Sequence, residues 1–520
     1  MLLLPAVAFT AGNAGTSTSR EARVATLFDS LSAQPPRLRT FLQPMPKGGD
    51  LHNHLVGSVY AEDFLRWADE AGYCLSVADK ALKPPPCGVD QVSARGLVQR
   101  DATLYSQAID ALSVRNFVPG KPEISGHDRF FSTFGKFIPL ATARLADTLV
   151  STLQLAAGDR VSYVEIIVNP TQAYVIGPRA QQRPWAPDDL AANLRGIEGE
   201  LPAMVKSSMQ EFDAAEVAMR KTLRCGTQQA DTACDVHFRY LYYVDRAMPQ
   251  PFAFGEMALG YALVKADARF AGINIVDPED DPTALADYQA QMRMFEFFSA
   301  RDPQIRLTLH AGELTLGLVP PSDLRFHIAA AVAIGARRIG HGVDVSYEDN
   351  AAALLARMAK EGVAVEINLT SNDVILGVRG RDHPLNLYRA AGVPVVLSTD
   401  DEGVSRIDMT NEYVRAATEH GLRYGDLKNI ARNALEFSFV PGASLWRELG
   451  GYHAVMPACT ASLAALHASN EAATDPPAIA RAKPDKACSG YLARSEKAQL
   501  QWRLERELVE FETQILRTPF

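Results

Sequence analysis

Residues 305–343 read IRLTLHAGELTLGLVPPSDLRFHIAAAVAIGARRIGHGV. The run Ile305–Leu309 ends in His310-Ala311-Gly312-Glu313. A helical stretch follows over Asp323–Ile334, and a second apolar run from Arg338 carries Gly340-His341-Gly342. Strand, helix and strand in that order predict two parallel strands joined by a crossover helix.

Six further runs extend the series. They are Gly49–Leu55 (GDLHNHL), Val161–Val168 (VSYVEIIV), Val236–Val244 (VHFRYLYYV), Phe270–Val276 (FAGINIV), Val363–Leu369 (VAVEINL) and Val393–Leu397 (VPVVL). Several show little polar–apolar alternation, as expected of parallel strands covered on both faces. Helical segments such as Ala351–Lys360 lie between them. Eight units predict an α/β fold, a (β/α)8 TIM-type barrel. A doubly wound sheet is the alternative, but no GxGxxG or Walker loop supports a nucleotide-binding version of it.

The barrel is expected within residues 41–440. Insertions after the first two strands are expected near 71–151 and 170–235, the second with a charged helix near Ala214–Leu223. Residues 1–40 divide into an apolar start and a helix over Arg20–Ser32. Residues 441–520 form an extension that ends in a helix, Ser495–Leu516. The insertions are placed either to cover the barrel mouth or to mediate a homodimer.

The chain has 520 residues, with 52 Lys+Arg against 61 Asp+Glu, a net charge of −9. That balance argues against nucleic acid as a partner, which requires a basic footprint. No apolar run reaches the roughly 20 residues of a membrane span. Met1–Phe9 resembles the apolar core of a secretory signal without its positive start. Six cysteines fall as sequence neighbours: Cys74 and Cys87, Cys225 and Cys234, Cys459 and Cys488. Together these features predict an exported protein, periplasmic or secreted, with oxidised cysteines; a cytoplasmic protein with reduced thiols is the alternative.

Polar residues gather where the strands end, which is where such a barrel places its active site. His52-Asn53-His54 closes the first strand, and residues two apart on a strand face the same side. His310 and Glu313 follow the fifth strand, His341 lies on the sixth, and Ser398-Thr399-Asp400-Asp401 follows the eighth. Each alone also fits a structural role, such as a core histidine or a helix-capping acid. Their joint occurrence at strand ends points to a metal site. Three imidazoles and one carboxylate make a zinc-type set, although they suit several divalent ions. Glu313 is placed to exchange a proton with a substrate ring nitrogen. His341 is placed to orient a water or take its proton, and Asp401 to contact substrate or assist the water.

With these motifs in place, the chain resembles the adenosine deaminase family of the metal-dependent amidohydrolase superfamily. The matching segments are Met45-Pro46-Lys47 with Asp50–His54, Tyr163-Val164-Glu165, His310–Glu313, Arg338–Gly342, Thr370-Ser371-Asn372 with His383-Pro384, and Ser398–Asp401. The resemblance implies one Zn2+ per chain on His52, His54, His310 and Asp400. It also implies Glu313 as proton donor to purine N1, with His341 activating or stabilising the attacking hydroxide at C6. Asp401, Asp277 and Gly312 would contact substrate, a purine nucleoside such as adenosine converted to inosine with release of ammonia. A weaker likeness points to the secreted, growth-factor-like branch. The fourth strand, Gly272–Asp277, has no lysine at its end, which favours one metal over two.

Val56, Asn274, Asp277 and Glu402 depart from the family pattern. Val56 stands where a ribose-binding aspartate is usual, and a valine accepts no hydrogen bond. Two alternatives follow: another mononuclear hydrolase of the superfamily with a different substrate, or an exported binding or signalling protein of low activity.

Overall fold

The computed structural model describes residues 19–118, 124–472 and 483–519. Eight parallel strands form its centre: β1 (Gly48–His54), β2 (Val161–Ile167), β3 (His237–Asp245), β4 (Phe270–Val276), β5 (Thr308–Ala311), β6 (Arg338–His341), β7 (Ala364–Ile367) and β8 (Val395–Leu397). β1 to β4 pair in sequence order, and so do β5 to β8. Two single parallel bridges join the halves. Ile273 meets Leu307 between β4 and β5, and Asn53 meets Asp400 between β1 and the end of β8. The ring of strands is thereby continuous, a (β/α)8 barrel.

β2, β7 and β8 are buried along their whole lengths, which is why their sequences do not alternate. β5 starts later than the apolar run Ile305–Leu309. The Ile305 N–H donates to the Asp302 carbonyl at 3.1 Å in a tight turn, and residues 306–307 meet β4 through one bridge before the ladder to β6 begins.

The first insertion holds a small antiparallel sheet of Cys74–Ser76, Leu82–Lys83 and Gln91–Ser93. Helices Ala102–Ala111, Gly126–Phe134, Ile138–Ala143 and Leu145–Gly158 follow. Phe130, Phe137 and Leu140 pack with Phe64 and Trp67 of the preceding helix Ala61–Ala71 in an apolar cluster distinct from the main barrel core. In the second insertion the helix is longer than its charged stretch suggested, running over Leu201–Thr222. Met204, Val205, Ser208, Phe212, Ala215 and Met219 are buried along one side of it, and that stripe carries the helix N-terminally beyond the charges.

Three disulfides join Cys74 to Cys87, Cys225 to Cys234 and Cys459 to Cys488. The last lies in a satellite core with Leu445, Trp446, Leu463 and Trp502. The terminal helix Glu496–Ile515 belongs to the barrel core as well. Leu500, Leu504, Leu508 and Phe511 pack there with Phe28 and Phe41 from the N-terminal helices. Among the described residues no helix is long and apolar enough to cross a membrane. The apolar stretch Met1–Phe9 lies outside the described residues.

Candidate metal centre and active site

The strand ends turn inward through left-handed backbone. His341 (φ 67°), Asp400 (φ 59°) and Asp277 (φ 78°) all adopt it. Non-glycine residues occupy this region at a cost, and such residues gather at functional sites. Close approach also requires bare backbone on β6. A Cβ on Gly340 would lie 2.8 Å from His52 Cε1.

Four donor atoms converge at the floor of the mouth. His54 Nε2 lies 3.3 Å from His52 Nε2, 3.3 Å from His310 Nε2 and 3.3 Å from Asp400 Oδ1. His52 Nε2 is 3.4 Å from the same Asp400 oxygen. Ligands in tetrahedral array about 2.0–2.1 Å from a zinc ion stand about 3.3–3.4 Å apart. The donors therefore have the spacing of a metal's ligands. His52, His310, His341 and Asp400 group within 4.8 Å, and His54, Asp400 and Asp401 form an overlapping group. His341 stands further off, with Nε2 3.9 Å from Asp400 Oδ2.

The imidazole tautomers suit a metal. His52 Nδ1 lies 2.7 Å from Glu366 Oε2, and His310 Nδ1 lies 2.9 Å from Asn274 Oδ1. Each Nδ1–H donates to its oxygen, which leaves the Nε2 lone pairs facing the common point. Burial opposes charge on His52, but the carboxylates of Asp400 and Glu366 outweigh it and lift its pKa to about 10. The same acidic surroundings favour a bound cation. Glu366 is held in turn by Thr308 Oγ1 at 2.7 Å and by the buried Arg338. Arg338 also reaches Glu165 Oε2 at 2.5 Å and lies over the Phe439 ring, 3.8 Å from its centroid.

A cavity of about 350 Å³ opens above these donors. His54, His310, Glu313, His341, Asp400, Asp401 and Asp277 all line it, whereas Gly312 does not. The Gly312 N–H donates to Glu279 Oε1 at 3.1 Å, and its carbonyl accepts from Val343 at 2.7 Å. Both backbone groups of Gly312 thereby support the Glu313 loop. Glu279 Oε2 also accepts the Glu313 N–H at 2.8 Å. Glu313 Oε1 points inward without a hydrogen-bond partner, 3.3 Å from His341 Nδ1. Burial, followed by the nearness of Asp400 and Glu279, holds the Glu313 carboxyl above the usual carboxylate range. A neutral acid at that place is fit to donate a proton. Burial and then Asp400 raise Asp401 likewise. Burial lowers the His341 pKa to about 3, so its ring is neutral.

The outer wall differs in character. Val56, Phe130, Phe131, Phe134, Ile138 and Ile375 form an apolar side, supplied mainly by the first insertion. Polar residues from the end of β3, from just after β2 and β4 and from the second insertion line it as well: Asn169, Tyr174, Glu211, Tyr243, Asp245 and Asp277. Burial pushes Asp277 up to about 6, and burial with Asp277 raises Asp245. Among the described residues no lysine or arginine lines the cavity. His127 Nε2 meets Asp280 Oδ1 at 2.9 Å and ties the insertion helix Gly126–Phe134 to the loop after β4.

Sequence reading did not single out Glu366, Glu279 or Asp245. The signal for Glu366 was a lone acid inside the apolar run VAVEINL. An acid in a strand buried on both faces requires a partner, but its partners lie on other strands.

The adenosine deaminase family model matches residues 144–446, more than half of the chain. An adenosine deaminase of Serratia proteamaculans is 33% identical over 188 residues, which cover 36% of this chain and 53% of that protein. One from Yersinia pseudotuberculosis is 32% identical over 188 residues, covering 36% and 52%. The chain thus spans about half the length of the curated relatives it matches. The apo structure of the N6-methyl-AMP deaminase from Arabidopsis thaliana superposes with a TM-score of 0.50 at 20% identity. That superposition covers 78% of this chain and 94% of the other, a likeness of fold.

Proposed function

Because the chain belongs to the adenosine deaminase family, we propose that it hydrolyses a 6-aminopurine nucleoside, adenosine or a close relative, to the 6-oxo product and ammonia. The observation that carries this reading is the convergence of three imidazole nitrogens and the Asp400 carboxylate beneath a cavity that Glu313 lines, with its Oε1 unpartnered. His52, His54, His310 and Asp400 would hold one zinc ion. When bound, it supplies a Lewis acid that brings a water's pKa near neutrality.

The remaining work falls to side chains. Glu313, held by Glu279 through its own backbone N–H, donates its proton to the purine ring nitrogen next to C6. That draws electrons from C6 and opens it to attack by water. Asp401 and His341 border the same point and orient the attacking water. The new C6–O bond forms and the water gives up both protons as it becomes the 6-oxo oxygen: one restores the Glu313 carboxyl, and the other goes to the amino group, which leaves as ammonia when the C6–N bond breaks. Phe130 and Phe131 offer aromatic surface for the flat base.

The outer wall supports an uncharged substrate. A phosphoryl group calls for lysine or arginine; here Glu211, Asp245 and Asp277 stand instead. A nucleoside therefore fits better than its 5′-phosphate. Val56 favours a second reading for the sugar end, in which the substrate bears an apolar group where adenosine has a hydroxyl. Three disulfides support export to an oxidising compartment, periplasmic or extracellular.

A substrate panel tests the proposal. Zinc-loaded protein is mixed with adenosine, 2′-deoxyadenosine, 5′-deoxyadenosine, AMP and adenine, and ammonia release is followed. Turnover of nucleosides well above AMP is expected. Bound zinc with no ammonia from any aminopurine would contradict it.

A further inference from the structure

A hydrogen-bond chain that begins at a backbone amide fixes where His341 carries its proton. The Leu385 N–H donates to His383 Nδ1 at 3.1 Å. A peptide N–H has no other role, so His383 Nδ1 bears a lone pair and the single ring proton sits on Nε2. Burial, then His420 and Arg415, lowers the His383 pKa to about 3, and the ring is neutral. Its Nε2–H therefore donates to Asn372 Oδ1 at 3.0 Å. That fixes the orientation of the Asn372 amide, whose Nδ2 faces His341 Nδ1 at 2.9 Å and donates to it. His341 Nδ1 is then an acceptor. The proton of the neutral imidazole sits on Nε2, the nitrogen on the Asp400 side of the ring.

Other neighbours do not reverse this order. Asn368 Nδ2 is 3.4 Å from both ring nitrogens and distinguishes neither. Glu313 Oε1 is 3.3 Å from Nδ1, longer than the Asn372 contact, and makes no hydrogen bond. Asn372, His383 and His341 are all buried, at 0%, 4% and 1% exposure, so water does not compete for these positions.

We propose that Asn372 and His383 are positioning residues that hold His341 as its Nε2–H tautomer. His341 then meets the attacking oxygen as a hydrogen-bond donor and not as a proton acceptor. The donor stabilises negative charge that builds on that oxygen. The tautomer stands on the chain's own geometry; its kinetic consequence rests on the functional reading above.

The test is 1H–15N NMR of full-length protein labelled with 15N-histidine, with and without zinc. The ring is assigned by its loss in His341→Gln. A protonated Nε2 and an unprotonated Nδ1 are expected in the wild type. An aspartate at position 372 has no N–H to give, so Asn372→Asp should move the proton to Nδ1. Its zinc content and KM should hold, while kcat falls about 10²–10³-fold, the usual cost of a lost oxyanion donor. A wild-type spectrum with Nδ1–H overturns the proposal, with or without a folded variant. A moved proton with unchanged kcat overturns the donor role. If no aminopurine is hydrolysed at all, the functional reading fails, and the spectrum still decides the tautomer.

Discussion

At the floor of the cavity, His52, His54, His310 and Asp400 stand on or just beyond β1, β5 and β8, with ring nitrogens held by Glu366 and Asn274. At its rim, Phe130, Phe131, Phe134 and Ile138 stand on two helices of the first insertion, which pack in an apolar cluster distinct from the main barrel core. The floor is anchored by the sheet and by charged groups with fixed partners. The rim is anchored by its own packing and by contacts such as His127–Asp280. The difference separates two tasks. On the proposed reading, the groups that would handle the reacting atoms sit at the ends of the sheet's strands, and those that would choose the substrate sit on an insertion, where sequence changes cost the barrel little.

The largest effect is expected at the floor. Asp400→Ala should abolish zinc binding and turnover together, measured as metal content and ammonia release on the same preparation. Next comes Glu313→Gln, which should keep one zinc per chain and lose turnover by about 10²–10⁴-fold. The raised carboxyl also sets a pH dependence. Glu313 acts protonated, so kcat/KM should fall as pH rises through its pKa. That falling limb should vanish from the residual activity of Glu313→Gln.

One step outward, Glu366→Gln keeps the shape but weakens the hold on His52 and on Arg338. Zinc affinity should fall about 10–100-fold in competition with a chelator, as for other groups behind a metal ligand. The smallest effect belongs to the rim. Phe131→Ala should raise KM several-fold, with kcat and zinc content near the wild type. A large loss of kcat there would break the division between floor and rim.

How far the sequence disclosed this division follows from what a sequence records. The strand ends were legible because His52, His54, His310, His341 and Asp400 interrupt or close apolar runs at the spacing a barrel demands. The cysteine pairs were legible as neighbours, and the structure joins them so. The supporting charges were not. Arg338 lies among its matched motif, but Glu165 and Glu366 reach it from strands remote in the chain. The rim was not legible either. Nothing in GHDRFFSTF says which phenylalanine faces a cavity formed by other segments. Glu279, which accepts the Gly312 N–H, was not legible for the same reason: it lies 33 residues before Gly312.

The measurement that tests the central claim most directly is a zinc titration of metal-free protein, with adenosine conversion to inosine followed by ultraviolet absorbance at each step. The account predicts activity that rises linearly and levels off at one zinc per chain, with Asp400→Ala flat throughout. Full turnover in chelator-treated protein, or none at one bound zinc, would contradict it.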